Sequence, residues 1–261
     1  MKISSTDFGM YKKDNKSFTD ALLAHGVSHM DYAAARLPEN PDDIHELITY
    51  AVSRGMHLNI HAPYGENNIS STDKERRASS IANMKSSIDL VAKYNLDVVT
   101  FHPGRCTEET DDPEVIWADM MDAVAEIAAY AKEKKVYVGI ENMELRPHEL
   151  VFTIDDLNRF AIFCENNPYF GVTIDFAHYA THNIGLPDLK ALKLPIHNVH
   201  LSQVRNGTAH HALTFTDGIV DVDAICRLLK DYGYDGQIVL EITSNVFESV
   251  EILDQAIKRL G

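Results

Sequence analysis

With 261 residues, 45% of them apolar and 24% charged, the chain can bury a full core and has the composition of an ordinary globular protein. Its 39 acids against 24 bases leave a net charge of -15, a field that repels phosphate backbones and anionic membranes, so no nucleic-acid partner is favoured. Cys106, Cys164 and Cys226 are too few and too scattered for a disulfide framework, and neither a signal peptide nor an apolar run of about 18 residues is visible, so a cytoplasmic protein free of the membrane is expected.

A first strand begins directly after Met1, and Phe18 to His25 suits a short helix. Ser28-His29-Met30-Asp31-Tyr32 suits a second strand. Pro41-Asp42-Asp43 opens a helix well, with proline in the first turn and acids against the positive end of the dipole, and Gly55 stops it. Met56 to Ile60 forms a third strand that runs into His61-Ala62-Pro63-Tyr64. The next helix is capped by Thr72 or Asp73 and carries Ile81, Met84, Ile88 and Val91 on one face. Val98 to Phe101 is a fourth strand, followed by the loop His102-Pro103-Gly104-Arg105. After Pro113 a long helix turns Ile116, Met120, Val124, Ile127 and Ala131 inward. The alternation continues with strand 136–141, helix 154–165, strand 170–175, a short helix near 186–192 and strand 196–201. Asp221 caps a helix that ends at Gly233. Gln237 to Ile242 is the eighth strand, and a helix from Val246 to Leu260 closes the series.

Eight apolar strands alternating with eight helices predict parallel strands covered on both faces, in a chain of the size usual for an eightfold barrel. The expected fold is α/β, a single (β/α)8 TIM barrel over residues 1–261 with its site at the C-terminal mouth. No glycine-rich dinucleotide or P-loop signature follows the first strand, which leaves nucleotide cofactors without support.

Six strands end in metal-capable residues: His61, His102, Glu141, Asp175 with His178 three residues on, His200 and Glu241. Glu141, Asp175, His200 and Glu241 terminate the fifth to eighth strands, neighbours about 4.8 Å apart, so four inward ends can meet around one ion. Three carboxylates packed without a cation would repel and force protonation; a divalent metal removes that conflict. Three oxygen donors and one imidazole favour Mn²⁺, Mg²⁺ or Co²⁺, with Zn²⁺ compatible, and the absence of thiolate ligands argues against a closed structural zinc site. Glu141 and Glu241, set on opposite flanks, would act as acid and base on a sugar carbon beside a carbonyl.

His61-Ala62-Pro63, Thr100-Phe101-His102-Pro103-Gly104, Gly139-Ile140-Glu141-Asn142, Thr173-Ile174-Asp175-Phe176-Ala177-His178, Val199-His200-Leu201 and Ile238-Val239-Leu240-Glu241 together resemble the xylose-isomerase-like TIM-barrel superfamily. That superfamily holds sugar isomerases and epimerases, polyol-ketone dehydratases and endonuclease IV type abasic-site enzymes. Similarity to the ketose 3-epimerases implies Glu141, Asp175, His200 and Glu241 as ligands, with His178 and a basic residue after His200, here Arg205, on substrate oxygens. The repair branch implies several zinc ions and uses histidines where His61, His102, His178 and His210 stand. Its Asp-x-His pair is replaced by Thr208-Ala209-His210, one carboxylate short, so these histidines are expected to contact a small sugar or to hold a second ion. Arg105 is a further contact for an anionic group on the substrate, and Phe8, Tyr64 and Phe176 are expected to wall the pocket. A small-molecule sugar is the expected partner, and the outer helices leave room for a homo-oligomer.

Overall fold

Strands covered by helices need an apolar outer face, and the short β-branched runs of this chain supply it. The computed structural model describes residues 1–7, 15–33 and 41–261. In order these are β1 (Lys2–Thr6), α1 (Asn15–Ala24), β2 (His29–Ala33), α2 (Pro41–Ser53), β3 (His57–His61), α3 (Lys74–Tyr94), β4 (Val98–Phe101), α4 (Pro113–Lys134) and β5 (Tyr137–Glu141). There follow α5 (Ile154–Asn158), β6 (Phe170–Asp175), α6 (Phe176–Ala180), β7 (Ile196–Leu201), β8 (Gln203–Arg205), β9 (Thr208–His211), α7 (Val222–Tyr232), β10 (Gln237–Leu240) and α8 (Val246–Lys258). Strands β1 to β7 pair in parallel in sequence order, and β10 joins β7 to β1 to close an eight-stranded barrel. Phe8 lies outside the described residues.

The helices cover the barrel with the faces that their periodicity predicts. Ile116, Met120, Val124, Ile127 and Ala131 of α4 are fully buried against the strands, while Glu126, Lys132 and Glu133 are exposed. Each large apolar side chain so buried contributes about 1.5–3 kcal/mol. Asp73 is the cap of α3, accepting hydrogen bonds from the N–H groups of Glu75 and Arg76. Asp221 caps α7 in the same way, and Gly233 ends it in the left-handed region at φ +87°. Among the described residues, no helix is long and apolar enough to cross a membrane.

Two helices differ from the sequence expectation. The segment 154–165 splits into α5 and a 3₁₀ turn at Ala161–Cys164; at the end of α5 the Asn158 side chain donates to Ala191 O and accepts from Lys193 N. The helix near 186–192 shrinks to a 3₁₀ turn, Leu189–Ala191, in a stretch bracketed by Pro187 and Pro195. The antiparallel hairpin β8–β9 after His200 was not foreseen.

Unlike most barrels, this one has a polar interior. Thr100 and Thr173 share a hydrogen bond of 2.9 Å, Asn198 donates to Thr100 and Asp31, and Gln237 donates to Asn59. Gly139 makes room for this column: a Cβ there would lie 2.4 Å from Thr173 Oγ1 and 2.9 Å from the Thr173 backbone nitrogen. The column's Asn198 connects it to the C-terminal end, with Nδ2 3.1 Å from His200 Nε2.

Candidate metal centre at the C-terminal mouth

Each donor owes its place to a strand end. Glu141 and Asp175 are the last residues of β5 and β6, His200 is the penultimate residue of β7, and Glu241 follows β10 directly. The ladder sets their relative heights: Asp175 and His200 are paired in register, as are His200 and Val239. Glu241 is fixed by its own N–H, which donates to Leu201 O at 3.1 Å. Asp175 also caps α6, accepting from His178 N at 2.7 Å, so His178 enters the mouth from the first turn of that helix. Asn142 ties the corner together, bonding the Asp175 backbone at both N–H and C=O and accepting His178 Nδ1–H at 2.9 Å.

These side chains converge. His200 Nδ1 lies 3.0 Å from Glu141 Oε1 and 3.2 Å from Glu241 Oε2. His178 Nε2 stands 3.7 Å from Asp175 Oδ2, and Glu141, Asp175, His178 and Glu241 each place a donor within 4.8 Å of the others. His178 thus stands among the donors, whereas similarity to the epimerases implied a substrate contact. Glu141, Asp175, His200 and Glu241 are all buried, yet both Glu141 oxygens, Asp175 Oδ2, Glu241 Oε2 and His200 Nδ1 lack a hydrogen-bond partner. Buried carboxylates held only by ion pairs are costly, and the donors of Glu141, Asp175, His178 and Glu241, within 4.8 Å of one another, fit a divalent ion; His200 reaches Glu141 and Glu241 but stands outside that set of four. Mixed carboxylate and imidazole donors suit the first-row ions and Mg²⁺.

The fields in the cluster pull its members apart. Burial would raise the Glu141 carboxyl, but His200, His102 and His61 hold it well below the usual carboxylate range. Burial likewise opposes the lowering of Glu241, which His210 and His200 impose. Asp175 is raised, first by burial and then by Glu141 and Glu241. His200 is pushed well above its ordinary value by the two glutamates despite its burial. Two ionised glutamates and one carboxyl inclined to keep its proton is the state expected of crowded acids awaiting a cation.

Two residues that the strand-end pattern did not single out hold His200. Its Nε2 is 3.1 Å from Asn198 Nδ2 and 3.5 Å from Asp31 Oδ2, which leaves Nδ1 aimed at the glutamates. Asp31 is fully buried on β2, an acid between Met30 and Tyr32, and that mismatch was its one visible signal.

The remaining histidines surround the same mouth. His61 Nε2 and His102 Nε2 lie 3.4 and 3.3 Å from Glu141 Oε2. His210 Nδ1 is 3.7 Å from Glu241 Oε2, on a backbone at φ +66° whose N–H donates to Ser202 Oγ. Glu144, unremarked in the sequence, is buried beside His178 and His210, its Oε1 accepting from Ala209 N and Oε2 paired with Arg146. Glu144 thus brings a carboxylate from the loop after β5 to His178 and His210. A cavity of about 240 Å³ opens over the cluster, walled by Tyr64, His102, Met143, His178, His210 and Glu241. Arg205 does not reach it: its guanidinium is bidentate on Asp217, at 2.8 and 2.7 Å, and stacks on Phe215. The hairpin β8–β9 turns it outward, a geometry that spacing from His200 could not reveal. Phe176 packs in the core, and Arg105 lines an adjoining cavity, donating to Gly65 O.

The family model of the xylose isomerase-like TIM barrel matches residues 20–260. The chain belongs to that family. Among solved structures, a D-tagatose 3-epimerase-like protein superposes with a TM-score of 0.85 at 20% identity, covering 100% of this chain and 98% of that one. The D-psicose 3-epimerase of Clostridium cellulolyticum H10, solved with D-tagatose, gives 0.77 at 20% identity over 99% and 96%. The 3-keto-D-glucoside 4-epimerase of E. coli gives 0.78 at 16% identity over 98% and 99%. In sequence, an uncharacterized protein of Methanocaldococcus jannaschii is 25% identical over 258 residues, 95% of this chain and 91% of that one.

Proposed function

We propose that this barrel is a divalent-metal-dependent isomerase or epimerase of a small ketose or sugar-derived acid. The observation that carries the reading is the convergence of buried donors from Glu141, Asp175, His178 and Glu241, with His200 against the two glutamates, under a cavity of sugar size. At about 240 Å³ that cavity is smaller than the roughly 300–1,000 Å³ of sites for drug-sized ligands, which suits a monosaccharide. The fold shared with solved ketose 3-epimerases supports the same class.

A divalent ion bound by these donors would supply Lewis acidity at the carbonyl oxygen, worth several kcal/mol as charge develops there. The chain's own residues do the rest. Glu141 and Glu241 both reach His200 Nδ1, at 3.0 and 3.2 Å, and both are held low by the histidines, so one can take the proton beside the carbonyl while the other, once protonated, returns one to the far face. Asp31 and Asn198 fix the His200 ring. Tyr64, His102 and His210 line the cavity and present polar atoms to hydroxyl groups. Incubation of metal-loaded protein with a ketose panel in D₂O tests the reading. Deuterium beside the carbonyl without loss of water supports it. Loss of water points to a dehydratase on the same site, and no exchange on the panel, with wild type and Glu241→Gln alike, overturns proton transfer altogether.

One observation favours a second reading, phosphodiester cleavage at abasic sites with several zinc ions. His61, His102 and Glu141 form one donor group and Glu144, His178 and His210 another, beside the group at Glu141, Asp175, His178 and Glu241. The net charge of -15 opposes a nucleic-acid substrate. Nicking of abasic DNA together with three ions at the mouth would replace the sugar reading with this one.

A further inference from the structure

The opposite end of the barrel carries its own set of donors. His29 and His57 begin β2 and β3 and are paired in register, so their rings stack at 4.7 Å with an interplanar angle of 10°. Asp97, the residue before β4, sets its Oδ2 3.5 Å from His57 Nδ1. One donor atom from each of the three lies within 4.8 Å of the others. None of these positions belongs to the mouth described above, and the strand-end pattern of the sequence passed them over.

The backbone under them is rigid. His57 N donates to Ser28 O at 2.8 Å and Asp97 N to Leu58 O at 2.9 Å, so the ladder of the barrel holds the three Cα atoms in place. His29 is buried, and its Nδ1 lies 3.1 Å from Ser28 Oγ, leaving Nε2 as its outward donor. The side chains of His57 and Asp97 are 57% and 40% exposed, so an ion can enter from solvent. Beside them opens a cavity of about 500 Å³, walled also by Lys2, His197 and Gln237. Asp97 is the one carboxylate on that wall.

We propose that His29, His57 and Asp97 form a second metal site at the N-terminal mouth, selective for zinc or a similar borderline ion and separate from the catalytic centre. Two imidazoles and a single carboxylate match the donor preference of zinc and are poor ligands for Mg²⁺ or Ca²⁺, which require more oxygens. Three protein ligands leave a fourth position facing the cavity for water. The donors need only close from 4.8 Å toward the roughly 3.3 Å that tetrahedral bonds of about 2.0 Å impose, a movement within reach of the exposed His57 and Asp97 side chains. Burial, reinforced by His57 and Lys2, lowers His29 to about 4, so its imidazole meets a metal without first losing a proton. An ion here would clasp the starts of β2, β3 and β4.

Zinc bound per full-length chain, counted after equilibrium dialysis, tests the proposal. Wild type and Glu141→Gln are expected to carry one zinc that His57→Ala and the isosteric Asp97→Asn lack, with Mg²⁺ failing to compete. Cobalt substitution should give tetrahedral visible bands that both variants lose in part, and turnover of the two variants should stay within twofold of wild type. Equal zinc content in wild type, His57→Ala and Asp97→Asn would overturn the site. That outcome is independent of how many ions the C-terminal mouth holds, because the comparison is a difference at fixed mouth residues.

Discussion

The two ends of this barrel are built from the same strands but solve opposite electrostatic problems. At the C-terminal mouth three buried carboxylates crowd together, and their field outweighs burial at His61, His178 and His200, raising His61 to about 9, while at His102 burial prevails and lowers it. At the N-terminal mouth a single acid faces two imidazoles, and His29 falls to about 4. The first end gathers carboxylates, with imidazoles as their counter-charges, and fits a hard or intermediate cation; the second gathers imidazoles around one acid. Active sites of such barrels lie at the C-terminal face and stability determinants at the other, and the difference in donor burial follows that division.

The contrast can be broken most sharply by removing a carboxylate from the catalytic end. Glu241→Gln or Glu141→Gln should lower solvent exchange at the sugar carbon by about 10²–10⁴-fold, read by mass spectrometry in D₂O, with the fold unchanged by circular dichroism. Asp31→Asn, which removes the carboxylate facing His200 Nε2, Asn59 and Asn198, should weaken metal affinity by about 10–100-fold in calorimetric titration while leaving zinc at the opposite mouth unaffected. Gly139→Ala should cost about 1–3 kcal/mol in denaturant unfolding, since its methyl would collide with Thr173 at the base of the polar column.

The smallest expected effect is a difference in pH slope. In metal-free protein His61, raised above its unfolded value of 6.5, stabilises the fold fully below pH 6.5, and that contribution is lost as the pH rises toward 9. His29, lowered below 6.5, contributes above pH 6.5 and loses its contribution as the pH falls toward 4. Denaturant midpoints across this range should therefore flatten on the alkaline side in His61→Asn and, more weakly because the His29 site is partly solvated, on the acid side in His29→Asn. Identical slopes in both variants would remove the proposed asymmetry.

Much of this was legible in the residues themselves. Helices α3, α4 and α7 carry their caps and apolar stripes in plain view, and Glu141, Asp175, His200 and Glu241 stand where short apolar strands end. What was hidden depends on closure. Asp31 and Asn198 matter because the interior brings β2 and β7 within reach of each other, a relation between positions 167 apart. Glu144 and Arg205 sit in connections without periodicity, where spacing says nothing of direction; the first turned toward the mouth and the second away from it. His29, His57 and Asp97 lie at strand starts, while a search for strand ends looks only at the other face.

Anomalous diffraction from crystals grown with Mn²⁺ tests the central claim most directly. The account predicts a peak at about 2.0–2.2 Å from donors of Glu141, Asp175, His200 and Glu241. A mouth without anomalous density at saturating Mn²⁺, its carboxylates closed onto His200 and His178 as ion pairs, would contradict it.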